Sequence, residues 1–119
     1  MRVIWVGVGG AVGSILRYWV GLLFSSARFP WATLSVNLVG SFALGVLLTY
    51  ALGRWSTMIT TGLAVGLFGG FTTFSTFAWE SFTMTQAGDI RRVALYVAVS
   101  LVGGLLAALI GYAAGRALV

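Results

Sequence analysis

The sequence predicts an all-α integral membrane protein of four transmembrane helices, and three observations carry that prediction. Of its 119 residues, 60% are hydrophobic and only 8% are charged. The mean hydropathy of +1.04 lies outside the range of soluble domains. Four apolar runs, approximately residues 3–24, 32–53, 57–86 and 93–115, each reach the roughly 20 residues needed to cross a hydrocarbon core about 30 Å thick. Four crossings use nearly the whole chain, so residues 1–119 read as one subunit with both termini on the same side.

The first run has no basic region before it beyond Arg2 and is rich in glycine, so it reads as a retained span and not as a signal peptide. Gly9 and Gly13 open a stripe of small residues that lets helix backbones approach closely. Arg17, toward the end of this span, has two readings: a positive vestibule for anions, or a structural clamp on helix-end carbonyls. The segment "SSARFP", with the only proline, Pro30, closes the run.

In the second run Asn37 and Ser41 lie four residues apart with Gly40 beside them, so one helical face offers an amide, a hydroxyl and a gap. Hydrogen-bonded glue between helices explains this face as well as a permeation role does. "GRWST" around Arg54 separates the second run from the third, where Gly62, Gly66 and Gly70 form another small-residue stripe.

The third run contains "GGFTTFSTF", residues 69–77, with two glycines and four hydroxyl side chains at membrane depth. The Gly69–Gly70 pair followed by Thr72 and Thr73 weakens the helix, since glycine costs about 1 kcal/mol relative to alanine. We expect a break near residues 69–74. Freed carbonyls would suit a monovalent cation, and a helix N-terminus an anion; a straight helix with hydroxyls bonded to carbonyls one turn back is the alternative. Phe74 and Phe77 share a face, either as packing or as a wall whose positive ring edges meet an anion. Glu80, just beyond, is open to pairing with an arginine or with hydroxyls.

After "TQAGDIRR" the fourth run sets Tyr96 and Ser100 one turn apart, and Gly103, Ala107, Gly111 and Gly115 along a further stripe. Trp5, Trp19, Trp31 and Trp55 lie toward span ends, as interfacial anchors do.

The net charge of +5 comes from seven arginines against Glu80 and Asp89. The arginines are scattered among the connections, which points to lipid headgroups and not to nucleic acid. Arg2, Arg54 and Arg116 fall on one side and Arg28, Arg91 and Arg92 on the other, so the positive-inside rule has almost nothing to act on. Insertion in both orientations, and an antiparallel dual-topology homodimer, follow as an expectation. The absence of histidine and cysteine removes imidazole and thiolate chemistry, and two acids alone cannot readily assemble a catalytic set, so no enzyme activity is expected.

"GGAVGSILRY" (9–18), "NLVGSF" (37–42) and above all "GLFGGFTTFSTF" (66–77) resemble the Fluc, or CrcB-type, fluoride channels, as do the length, the four spans and the balanced arginines. The resemblance implies a dual-topology homodimer in a bacterial inner membrane, with two fluoride pores each built from both subunits. It implies a structural Na⁺ at the dimer centre, held by the backbone carbonyls of Gly69 and Thr72 from each copy. By the same resemblance the pore takes Asn37, Phe74, Ser75, Thr76, Phe77, Tyr96 and Ser100, and Arg17 and Glu80 match the family's first-helix arginine and nearby acid. Ser14 departs from the usual alanine. Gly104 and Ala108 follow Ser100 on its face, so the hydroxyl track stops early. Small multidrug-resistance transporters are the main rival, but they depend on a first-helix glutamate and residues 3–24 hold no acid. A noncatalytic membrane assembly subunit is the third reading.

Overall fold

The computed structural model describes all 119 residues, within a body of 48 × 30 × 20 Å. Helix α1 (Arg2–Leu23) and α2 (Trp31–Ala51) are continuous. The third span, Thr57–Gln86, is not. It opens as α3 (Thr57–Thr61), widens into a π-helical stretch, Gly62–Phe68, narrows to α4 (Gly69–Phe71), is interrupted, and resumes as α5 (Phe74–Gln86). Helix α6 (Ile90–Ala117) completes the chain, and there are no strands. These elements make four helices long and apolar enough to cross a membrane.

Local sequence sets the ends. Ser56 accepts from the Ile59 N–H at 3.3 Å to cap α3, and Asp89 accepts from the Arg92 N–H at 3.4 Å to cap α6. Between α5 and α6 the chain reverses through Gly88 at φ +77°, a conformation glycine adopts without penalty. Gly88 N–H reaches Thr85 O and Asp89 N–H reaches Met84 O, the two bonds of a Schellman stop.

Close glycine seams hold the bundle together. A Cβ on Gly66 would lie 2.7 Å from Val6 O, and one on Gly70 would lie 2.6 Å from Gly10 O, so α1 and the third span touch backbone to backbone. The π stretch has a role in this seam. In an α-helix of 3.6 residues per turn, each four-residue step overshoots a full turn by about 40°, which would carry Gly62 and Gly70 apart around the axis. The wider π coil turns less per residue, which counters the overshoot of the α-helical turns beside it, and Gly62, Gly66 and Gly70 all face α1. A second seam joins α2 to α6, where a Cβ on Gly45 would lie 2.6 Å from Ala108 O and one on Gly115 2.7 Å from Thr49 Cβ.

Only 14 residues are buried, five of them hydrophobic: Leu34, Val36, Leu47, Ala51 and Tyr96. In water such a chain could not fold, because its large apolar side chains face outward; in lipid the outward face needs no cover.

The break falls within the expected residues 69–74, at their threonines and not at their glycines. Gly69 and Gly70 remain helical, and the unwound residues are Thr72 (φ −83°, ψ 158°) and Thr73 (φ −152°, ψ 117°), both extended. Glycine permits a break without compelling one. The β-branched threonines favour the extended conformation, and a side chain on α2 captures the freed backbone.

Candidate functional site

That side chain is Asn37. Its Nδ2 donates to Thr73 O at 3.1 Å, and its Oδ1 accepts from Thr73 N–H at 2.8 Å. Both backbone groups of the unwound residue are thus satisfied where lipid could offer nothing. Thr73 then starts α5: its Oγ1 accepts from the Thr76 N–H at 3.2 Å and bonds Thr76 Oγ1 at 3.0 Å. Ser75 Oγ lies 3.4 Å from Thr73 Oγ1.

On the other side of the break, Thr72 N–H and Thr72 Oγ1 both donate to Phe68 O, at 3.0 and 2.8 Å. Because Thr73 N–H is committed to Asn37, the Gly69 carbonyl loses the donor an unbroken helix would give it, and the Thr72 carbonyl accepts no hydrogen bond. Gly69 and Thr72 both line a cleft of about 290 Å³ together with Asn37, Gly40, Ser41 and Phe74.

A second cleft, of about 390 Å³, lies toward α1 and is lined by Ser14, Arg17, Thr33, Thr73 and Thr76. Thr73 borders both clefts, so the break is the wall between them. Arg17 makes no ion pair; the chain's only one joins Arg92 to Asp89 at 3.2 Å.

Tyr96, Phe77 and Glu80 form a separate cluster. Thr33 Oγ1 donates to Glu80 Oε1 at 2.5 Å and Tyr96 OH donates to the same oxygen at 3.3 Å. Phe77 packs against Tyr96 with ring centroids 5.1 Å apart and the planes tilted by 59°, and Phe74 lies 5.8 Å from Phe77. Phe74 itself is 77% exposed. Ser100 Oγ is buried and has no partner.

Residues 4–112 match the family described as CrcB-like protein, Camphor Resistance (CrcB). The chain belongs to the CrcB family. Among curated relatives it is similar to the fluoride-specific ion channel FluC of Thermus thermophilus, 45% identical over 122 aligned positions that cover 99% of this chain and 98% of the relative. The protein of the same name from Allorhizobium ampelinum is 43% identical, covering 96% and 95%. That from Chloroflexus aurantiacus is 41% identical, covering 93% and 92%.

Set against this CrcB chain, the sequence-assigned residues separate into groups. Asn37, Gly69, Thr72, Phe74 and Thr76 gather around the break, with Ser75 beside Thr73. Tyr96, Phe77 and Glu80 gather one helix away, and Arg17 faces the second cleft. Two assignments gain a more specific geometry. The Asn37 amide is engaged in fixing the break, which leaves one Nδ2 hydrogen for anything else. Tyr96 OH is turned to Glu80, so Glu80 takes the hydroxyl option and not an arginine.

Sequence reasoning missed Thr33 and Thr73 as site residues. Thr73 carried a signal, as a capping threonine three residues before Thr76 in a helix restart. Thr33 carried none, since its partner is 47 residues away.

The groups present fit a monovalent cation at the break. Carbonyl oxygens are hard, neutral donors, and those of Gly69 and Thr72 lack hydrogen-bond partners at membrane depth. No group of three or more acidic, histidine or cysteine side chains forms a rival metal site.

Proposed function

We propose that this protein is a fluoride-selective passive channel that lets F⁻ leave the cytoplasm across a bacterial inner membrane, working as an antiparallel dual-topology homodimer with two pores. The observation that carries this reading is the break at Thr72–Thr73. It puts polar groups on both sides of one wall inside a membrane span, in a chain whose relatives are named fluoride-specific ion channels along nearly its full length.

Fluoride is compact and strongly hydrated, so a selective path must be narrow and must replace water with donors. The hydroxyls of Ser75, Thr76 and Ser100, the free Nδ2 hydrogen of Asn37 and the ring edges of Phe74 and Phe77 supply donors without a fixed full charge. Binding then stays weak enough for release. Arg17, unpaired in its cleft, raises the local anion concentration at the entrance. Flow follows the inside-negative potential, with no catalytic step.

A second copy is needed because one chain encloses no path. The cleft at Asn37 and Thr72 opens on the surface and Phe74 projects from it. The near-equal arginine count on the two sides supports an antiparallel partner. Na⁺ held by Gly69 and Thr72 carbonyls of both copies would supply a fixed positive charge where the two breaks meet.

The test is fluoride efflux from proteoliposomes, read with an ion-selective electrode under K⁺ and valinomycin, beside a chloride control. Fluoride release with chloride retained is the expected result; no fluoride release, or equal chloride release, overturns the assignment. A C-terminal topology reporter found on both sides of the membrane supports dual insertion, and one found on a single side removes it.

A further inference from the structure

Gly40 lies one helical turn from Asn37 on α2 and packs against the other unwound residue. A Cβ built on Gly40 overlaps the Thr72 Cγ2 methyl, with the Phe71 ring at 3.5 Å and Thr72 Cβ at 3.7 Å. Ordinarily a side-chain methyl could swing aside. Here it cannot do so freely, because rotation about the Thr72 Cα–Cβ bond would break the 2.8 Å bond from Thr72 Oγ1 to Phe68 O. The same Phe68 oxygen also receives the Thr72 N–H at 3.0 Å, so the residue is tied at two points on one side and seated on Gly40 at a third.

We propose that Gly40 is a positioning residue: its missing side chain forms the seat into which the Thr72 methyl locks, and this seat aims the Gly69 and Thr72 carbonyls into the cleft. Asn37 fixes Thr73, and Gly40 fixes Thr72. Together they make the Asn37–Ser41 face of α2 a template on which the third span unwinds in one geometry. Threonine at position 72 is then required for both of its branches, the hydroxyl for the tie and the methyl for the seat. The inference rests on the cation reading of the break for its functional consequence, although the seat itself is a matter of packing alone.

The experiment is a double-substitution cycle with Gly40→Ala, Thr72→Ser and the pair together. Serine keeps the hydroxyl tie and removes the methyl, which makes room for the alanine Cβ. Two readouts are taken on the purified dimer: the melting temperature in detergent, and the Na⁺ concentration giving half-maximal fluoride efflux. Gly40→Ala is expected to lower the melting temperature and to raise the half-maximal Na⁺ concentration by about tenfold or more, the usual effect of removing a support behind a metal ligand. Thr72→Ser empties the seat and is expected to shift both readouts in the same direction but less than Gly40→Ala, and the pair, in which the alanine Cβ refills the space, lies closer to the parent protein than Gly40→Ala does. A pair as defective as Gly40→Ala overturns the seat. Rescue of melting temperature with the Na⁺ dependence unmoved in Gly40→Ala overturns the positioning role and leaves packing only. A parent protein without Na⁺ dependence or fluoride efflux removes the functional reading instead, and with it the positioning role, while the melting cycle still decides the seat.

Discussion

Replacing Asn37 with leucine keeps the side chain's approximate bulk and deletes both hydrogen bonds to Thr73. The magnitude follows from what is left behind. Thr73 is buried, and its N–H and C=O would face protein and lipid without a donor, an acceptor or water. An unsatisfied buried polar group costs about 1–3 kcal/mol, so the two together cost about 2–6 kcal/mol. Asn37→Asp keeps an acceptor for Thr73 N–H but turns the donor to Thr73 O into a carboxylate oxygen facing a carbonyl oxygen, and it sets a negative charge beside the anion path. Equilibrium unfolding in mixed micelles of graded SDS content gives the free energies, and fluoride efflux gives the functional effect. Both variants should lose stability and flux. An Asn37→Leu protein within about 0.5 kcal/mol of the parent, the range of an inconsequential substitution, and still conducting, would refute the clamp.

Other expectations concern the seam, the second cluster and the ion. Gly70→Ala sets a methyl against Gly10 O, where the Cβ has only 2.6 Å, and should destabilise by about 1–3 kcal/mol in the same unfolding assay. Gly104→Ala meets nothing within 4 Å and should be silent. Glu80→Gln keeps an acceptor for the Thr33 and Tyr96 hydroxyls and should stay within about 1 kcal/mol of the parent, whereas Glu80→Ala strands both and should cost about 2–5 kcal/mol. Rigorous exchange of Na⁺ for a large organic cation should reduce flux. Restoring Na⁺ to a hundredfold excess over its dissociation constant should return about 2.7 kcal/mol of stability.

The sequence showed the location of the break to within a few residues because glycine and β-branched threonine weaken a helix by local chemistry alone. It could not say which residue within 69–74 would unwind, because it held no information about which one would be captured. Asn37 and Thr73 are 36 residues apart, and only the crossing of α2 beside the break makes them partners. The π winding was invisible for a related reason. Nothing in "GLAVGLF" prefers a wide coil, and the packing of Gly62, Gly66 and Gly70 against the α1 backbone appears only once the two spans are brought together.

By itself, the sequence determined that this chain lives in lipid, crosses it four times and carries a weak point in the third crossing. Those properties depend on composition, run length and local propensity, which are sums over neighbouring residues. The tertiary structure alone decided how the weak point is used: Thr73 clamped by Asn37, Thr72 seated on Gly40, and Glu80 shared between Thr33 and Tyr96. A polar group in a membrane must find its partner within the protein, and which partner it finds depends on which helices face each other.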